Sequence, residues 1–124
     1  MRIKSKRRAG FTLVEIMIVT SLIGLLSTLA VPAAVRARDR AALETIQSHL
    51  RVIEDSKALW ATESRSGNGA LPPPTELESY IKGNRLPRSV AGETYAVNTI
   101  GSPATATLTY AVGGLPAGEV ITLE

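Results

Sequence analysis

Residues 7–16 read RRAGFTLVEI, and the assignment of the chain turns on this stretch. Arg2, Lys4, Lys6, Arg7 and Arg8 precede Gly10 with no acid among them, an apolar run opens at Phe11, and a single carboxylate, Glu15, sits inside it. A carboxylate placed in a bilayer span costs about 2.5–3.5 kcal/mol on insertion scales, and such a group normally marks a partner. The partner of Glu15 is the first thing the sequence has to explain.

Outward from this stretch, the apolar run extends from Phe11 to about Val35, interrupted only by Thr12, Glu15, Thr20, Ser21, Ser27 and Thr28. At about 1.5 Å per residue a helix of this length reaches roughly 36 Å, enough to cross a hydrocarbon core of about 30 Å. The formal net charge of +3 is a property of the first ten residues: without them the balance is −2. A basic tail ahead of an apolar span fits a cytoplasmic N-terminus. It therefore argues for topology over a nucleic-acid face.

Two readings of the run compete. A secretory signal peptide would be cut among the small residues of VPAAVRA, near Val31 or Ala34. A retained anchor better explains the greater length of the run and its acid. If the chain is cut between Gly10 and Phe11, the new α-amino group supplies the missing cation. It lies about one helical turn from Glu15 of its own chain, or within reach of a neighbour's, where it offsets the desolvation cost and sets the axial register of stacked subunits.

The segment RRAGFTLVEIMIVTSLIGLLSTLAVPAAVRA resembles the N-terminus of type IV pilins and of the pseudopilins of type II secretion systems. Gly10, Phe11, Thr12, Leu13 and Glu15 match that pattern in order and spacing. The resemblance implies that Gly10 is the last leader residue read by a prepilin peptidase, and that Phe11 becomes an N-methylated mature terminus. It places Glu15 and Thr12 at the assembly surface, and Gly24 and Pro32 where family helices loosen or kink. Independently of any family, Pro32 removes one backbone bond and crowds the carbonyl of Thr28.

After Pro32 the pattern changes without a turn signal. RARDRAALETIQSHLRVIEDSKALWATES has no Gly or Pro, and Leu43, Ile46, Leu50, Ile53 and Trp60 recur at helical spacing, with Lys57 the exception in the stripe. One amphipathic helix is expected to about Ser64. Glu44, Arg51, Glu54, Asp55 and Lys57 read as its solvated face, and His49, the single histidine, as a surface or packing residue. Arg36, Arg38 and Arg40, with Asp39, follow the apolar run directly and suit either lipid phosphates or acids of adjacent subunits.

SGNGALPPP ends this helix. Thr75 and Glu78 stand at capping-box spacing and Gly83 is a C-cap candidate, which predicts a short helix over Glu76–Lys82 docked by Leu77, Tyr80 and Ile81. ETYAVNTI, ATLTYAV and EVITLE then alternate as three short strands, with Tyr80, Tyr95 and Tyr110 read as core or sheet residues. The expected fold class is α+β and pilin-like, a long helix with a transmembrane half and an amphipathic half on a small antiparallel sheet. The expected organisation is a cleaved leader at 1–10, a transmembrane and assembly helix at 11–35, and a periplasmic domain at 36–124. That domain divides into helix to about 64, loop and short helix at 65–83, and β region at 93–124.

Composition excludes several chemistries. There is no cysteine, hence no disulfide, thiolate metal site or thiol nucleophile. No phosphate-binding loop, nucleophile elbow or carboxylate pair is visible, so no catalytic residue is assigned. No Asp follows Asp55 and the later acids are spread out, which suits poorly the 6–8 oxygens calcium needs; no metal and no cofactor is expected. The cluster Lys82, Arg85 and Arg88 is a weak DNA-binding candidate and supports the alternative of a minor pilin acting as a DNA- or surface-binding module. The expected partners are a prepilin peptidase, like subunits in a filament, an inner-membrane assembly platform with an external ATPase, and membrane lipid. The expected location is the inner membrane with the C-terminal domain periplasmic, and then a pseudopilus or pilus.

Overall fold

The hydroxyl of Thr12 accepts the backbone N–H of Glu15 at 3.2 Å, satisfying one of the donors a helix start leaves open. From this cap helix α1 runs Leu13–Ser64, 52 residues. The structure, a computed structural model, describes residues 10–123; the expected leader, apart from Gly10, and Glu124 lie outside the described residues.

Helix α1 ends at Arg65, which adopts φ +52°, while the N–H of Ser66 reaches back to the carbonyl of Ala61 at 3.1 Å. This is a Schellman closure with an arginine in the left-handed position that glycine usually takes. The described residues fall into two units divided between Val35 and Arg36.

In the second unit α1 contributes Ile46, Leu50 and Ile53, all fully buried, to a core shared with Ala104, Ala106, Leu108 and Val112. Each of the three large side chains is worth about 1.5–3 kcal/mol relative to exposure. Against them lies a three-stranded antiparallel meander in the order β1 (Thr94–Ala96), β2 (Thr105–Thr107), β3 (Val120–Thr122). Tyr95, Ala106 and Ile121 form one row across the register. Ala106 is the buried member, and its small side chain lets the sheet centre approach the core. Thr94, Ala96, Thr107, Val120 and Thr122 are exposed, as the alternation of a half-buried sheet requires. The α+β reading stands, with a long N-terminal helix and a small antiparallel sheet.

The β2–β3 hairpin is longer than its strands. Leu108 donates to the carbonyl of Glu119 at 2.9 Å and accepts from the N–H of Gly118 at 2.7 Å, and Val112 and Leu115 exchange backbone bonds at 3.0 Å. Gly113 and Gly114, at φ +60° and +89°, make the two-residue tip, a turn that needs two positive φ values. Strand β2 thus ends at Thr107, whereas the alternation had suggested strand through Val112.

Some local expectations are corrected. Helix α2 covers only Pro74–Leu77 and passes into a 3-10 turn, Glu78–Tyr80; its N-cap is Pro73, with no side-chain cap from Thr75. Proline at the first helical position already fixes the entry φ, so the capping box is not used. The turn stops at Tyr80 rather than Lys82, and Gly83, at φ +100°, lies in the following turn. Leu77 and Ile81 are buried and dock the segment. Trp60 Nε1 donates to Glu76 at 2.6 Å and the Tyr80 hydroxyl to Glu63 at 2.6 Å; that bond holds the Tyr80 phenol above its ordinary pKa. Lys57 is not on a solvated face: it is 2% exposed. Its ammonium donates to Glu54 at 3.0 Å and to the carbonyl of Ser102 at 2.6 Å. Tyr110 is exposed and outside the sheet, its ring set over the Cβ-less face of Gly92.

Candidate functional site

The first unit presents a helix with almost nothing apolar hidden. Phe11 is 81% exposed, and Leu13, Val14, Ile16, Met17, Ile18, Val19, Leu22, Ile23, Leu25, Leu26, Leu29, Val31 and Val35 are all exposed. An apolar surface of this extent marks a membrane or protein interface. Helix α1 is long and apolar enough at its N-terminal end to cross a membrane, and none of that apolar window is buried.

The polar residues of the run are satisfied within the helix. Thr20 donates to the carbonyls of Ile16 and Met17, Ser21 to Met17, Ser27 to Ile23 and Thr28 to Leu25, at 2.7–3.1 Å. In lipid, where water cannot serve as partner, such back-bonding removes much of the penalty of a hydroxyl.

Glu15 is different. It is exposed in the first turn of α1, where the positive end of the helix dipole favours an acid. No described side chain pairs with its carboxylate. Thr12 takes the backbone N–H of Glu15 and leaves the carboxylate free to act outward. Thr12 and Glu15 stand in the sequence as motif residues; their T-x-x-E spacing, the signature of a helix start, is also the signal for this cap.

Gly10 and Phe11 precede α1, both exposed, so the bond between them lies in irregular chain next to a capped helix. Gly24 sits within α1 with nothing within 4 Å of an added Cβ. The helix continues through Gly24 and Pro32. Val14, Met17, Ile18, Ser21, Leu22 and Leu25 form one shallow stripe along the first unit, with the i, i+3, i+4 spacing that lets one helix seat another.

A second polar centre lies in the other unit and was not legible as one. Glu93 is only 4% exposed. Its carboxylate accepts from the N–H groups of Val90 (2.9 Å) and Ala91 (2.8 Å), from the Ser89 hydroxyl (3.1 Å) and from the Tyr95 hydroxyl (2.6 Å). Burial pushes the carboxyl upward, but the Tyr95 and backbone donors outweigh it and bring it down to about 2. Burial and the neighbouring carboxylate push the Tyr95 phenol up. Nδ1 of His49 lies 2.8 Å from the Tyr95 oxygen. A phenol has one proton, and with it committed to Glu93 the imidazole nitrogen is the donor. The three side chains clamp the β1 entry to α1. Among the described residues no three His, Asp or Glu side chains converge in a metal-binding group. Lys82, Arg85 and Arg88 are exposed.

Residues 5–31 match the family model described as the prokaryotic N-terminal methylation motif. No solved structure matches the chain.

Proposed function

We propose, from the premise that this chain is type IV pilin-like by its N-terminal methylation motif, that it is a membrane-held filament subunit whose work is assembly. A prepilin peptidase cuts after Gly10 and methylates the α-amino group of Phe11. The helix at 11–35 anchors the subunit in the inner membrane with the leader cytoplasmic and the 36–124 domain periplasmic. The same helix then bundles with those of neighbouring subunits, and Glu15 pairs with a neighbour's N-terminal amine. Gly24 and Pro32 are the points at which the helix adapts to that packing.

One observation carries the reading. Residues 13–31 of the matched segment lie on α1, the apolar surface of this stretch is uncovered, and its single acid, Glu15, has no partner among the described side chains. Within the class, the lack of cysteine favours the pseudopilus of a type II secretion system over a type IV pilus. Genes for a secretin and a secretion pathway beside this one, against a retraction motor, distinguish the two.

Intact mass of the membrane-extracted chain, co-expressed with a prepilin peptidase, tests the proposal. A species starting at Phe11 and heavier by one methyl group is expected, and Gly10→Leu should leave the precursor uncut. A species starting near Ala34 overturns the reading in favour of an ordinary signal peptide.

A further inference from the structure

We propose that the cleft between Arg36, Asp39 and Arg40 of α1 and the Gly113–Gly114 hairpin tip binds the headgroup of an anionic phosphodiester lipid that carries free hydroxyls. The inference rests on the reading that the helix at 11–35 spans a membrane.

The cleft has a volume of about 300 Å³ and is lined by these five residues. Arg36 and Arg40 stand four apart and so share a face of the helix. Among the described residues neither guanidinium, nor the carboxylate of Asp39, makes an ion pair. The backbone N–H groups of Gly113 and Gly114 have no carbonyl acceptor among the described residues. The wall is held close: a Cβ on Gly113 would stand 2.5 Å from Leu43 Cδ1 and 3.8 Å from Asp39 Cβ. A cleft with two unpaired guanidiniums suits a phosphate, which arginine meets with a planar fork of donors. The Asp39 carboxylate accepts from a headgroup hydroxyl, and the net positive lining is neutralised by one phosphodiester charge.

Placement selects the source of that phosphate. Arg36 follows Val35, the last residue of the apolar run, and Arg40 lies about 6 Å further along the helix axis. With the run spanning the hydrocarbon, Arg36 falls within the headgroup layer, roughly 5–7 Å deep on each side, and Arg40 lies beyond its outer edge, from where its long side chain reaches back toward the phosphates. A lipid headgroup is present there at high local concentration, whereas a soluble anion is not.

The test uses the full chain in lipid nanodiscs, with the amide resonances of Gly113 and Gly114 followed as phosphatidylglycerol replaces phosphatidylcholine. Saturable shifts are expected. Arg36→Gln and Arg40→Gln, both at exposed positions, should each raise the half-saturating fraction roughly fivefold, with Trp60 emission unchanged as proof of folding. The basic leader is common to all variants and cancels in the comparison. Absent shifts in a chain that has entered the discs overturn the proposal. So do equal shifts on adding inorganic phosphate to phosphatidylcholine discs, which assign a soluble anion, and equal shifts with phosphatidylethanolamine. Shifts that depend on the number of chains per disc assign the cleft to a second copy's carboxylate and overturn it as well. A chain that does not enter the discs overturns the membrane reading and this proposal with it, and co-purification of chain with lipid separates that failure from the others.

Discussion

The phenolic O–H of Tyr95 donates to Oε1 of Glu93 at 2.6 Å, and this bond fixes the entry of β1 against α1 through His49. Removing the hydroxyl in Tyr95→Phe takes a charge-assisted donor from a buried carboxylate, worth about 1.5–2 kcal/mol. The loss should be seen in chemical denaturation of the detergent-solubilised chain at neutral pH. Trp60 is the single tryptophan and lies in the second unit, so its emission reports that unit alone.

The same bond sets a pH dependence. Glu93 falls from its ordinary 4.5 to about 2 in the folded chain. A depressed carboxyl stabilises the fold fully above its unfolded value, and that stabilisation is lost as pH falls from about 4.5 towards 2. The wild-type advantage over Tyr95→Phe should therefore shrink across that window, because a protonated Glu93 no longer draws on a charge-assisted donor. An advantage that stays constant from pH 7 to pH 2 would sink this account.

Gly113→Ala should destabilise the second unit more than Gly114→Ala. Both positions have positive φ, +60° and +89°, so both variants carry the backbone strain of an L-residue there, about 1–2 kcal/mol. Only at Gly113 does the added Cβ meet Leu43, at 2.5 Å from Cδ1; at Gly114 it meets nothing within 4 Å. Leu43→Ala in the Gly113→Ala background should recover part of the difference. Equal denaturation midpoints for the two alanine variants would place the tip off the helix.

Periodic burial was legible in the sequence, and side-chain pairing at long range was not. Ile46, Leu50 and Ile53 announced the core face by their spacing, and the three alternating segments announced a sheet. Lys57 stood in the same stripe and was assigned to water because a charge alone argues for exposure. The groups that satisfy it, the Ser102 carbonyl and Glu54, include one 45 residues away in sequence, and no local pattern carries that. Glu93 was unreadable for a different reason: its donors Ser89, Val90, Ala91 and Tyr95 are all within four residues, but they converge on the carboxylate only through the path of the 89–92 loop, which no residue pattern announces. In the first unit the reverse holds. The matched motif lies in order and spacing along one continuous segment, so Gly10, Phe11 and Glu15 stand out from sequence as motif residues. The Thr12 cap was within reach there too, since it joins residues three apart.

Truncating Glu54 should cost more than replacing Lys57. Glu54 accepts from both the Lys57 ammonium and the N–H of Ala104. In Glu54→Ala the lysine stays buried with only the Ser102 carbonyl, and an uncompensated buried charge costs about 3–5 kcal/mol. In Lys57→Met the stem is kept and the charge removed, leaving a carboxylate that is 33% exposed and still bonded to Ala104; a loss of about 1–2 kcal/mol is expected. Denaturation midpoints rank the two, and hydrogen exchange at the Ala104 amide should quicken in Glu54→Ala and stay slow in Lys57→Met.

Glu15→Ala should insert and be processed as the wild type does and fail in assembly. The helix start is held by Thr12 through the backbone N–H of residue 15, which alanine retains, so an assembly defect cannot be ascribed to a lost cap. Alanine also removes the desolvation cost of an acid in the first turn, which is below the roughly 2.5–3.5 kcal/mol of a charge at the helix centre, so insertion should be no worse. What disappears is the proposed pairing with a neighbour's amine. If each subunit contact loses as little as about 1.4 kcal/mol, contact affinity falls roughly tenfold. Thr12→Ala is the complementary control: it weakens the cap by about 1 kcal/mol and leaves the carboxylate in place. Filament yield, measured as sheared polymer against membrane-held subunit, should drop sharply for Glu15→Ala and only slightly for Thr12→Ala. The reverse order would assign this segment to helix initiation and remove the subunit pairing from the role of Glu15.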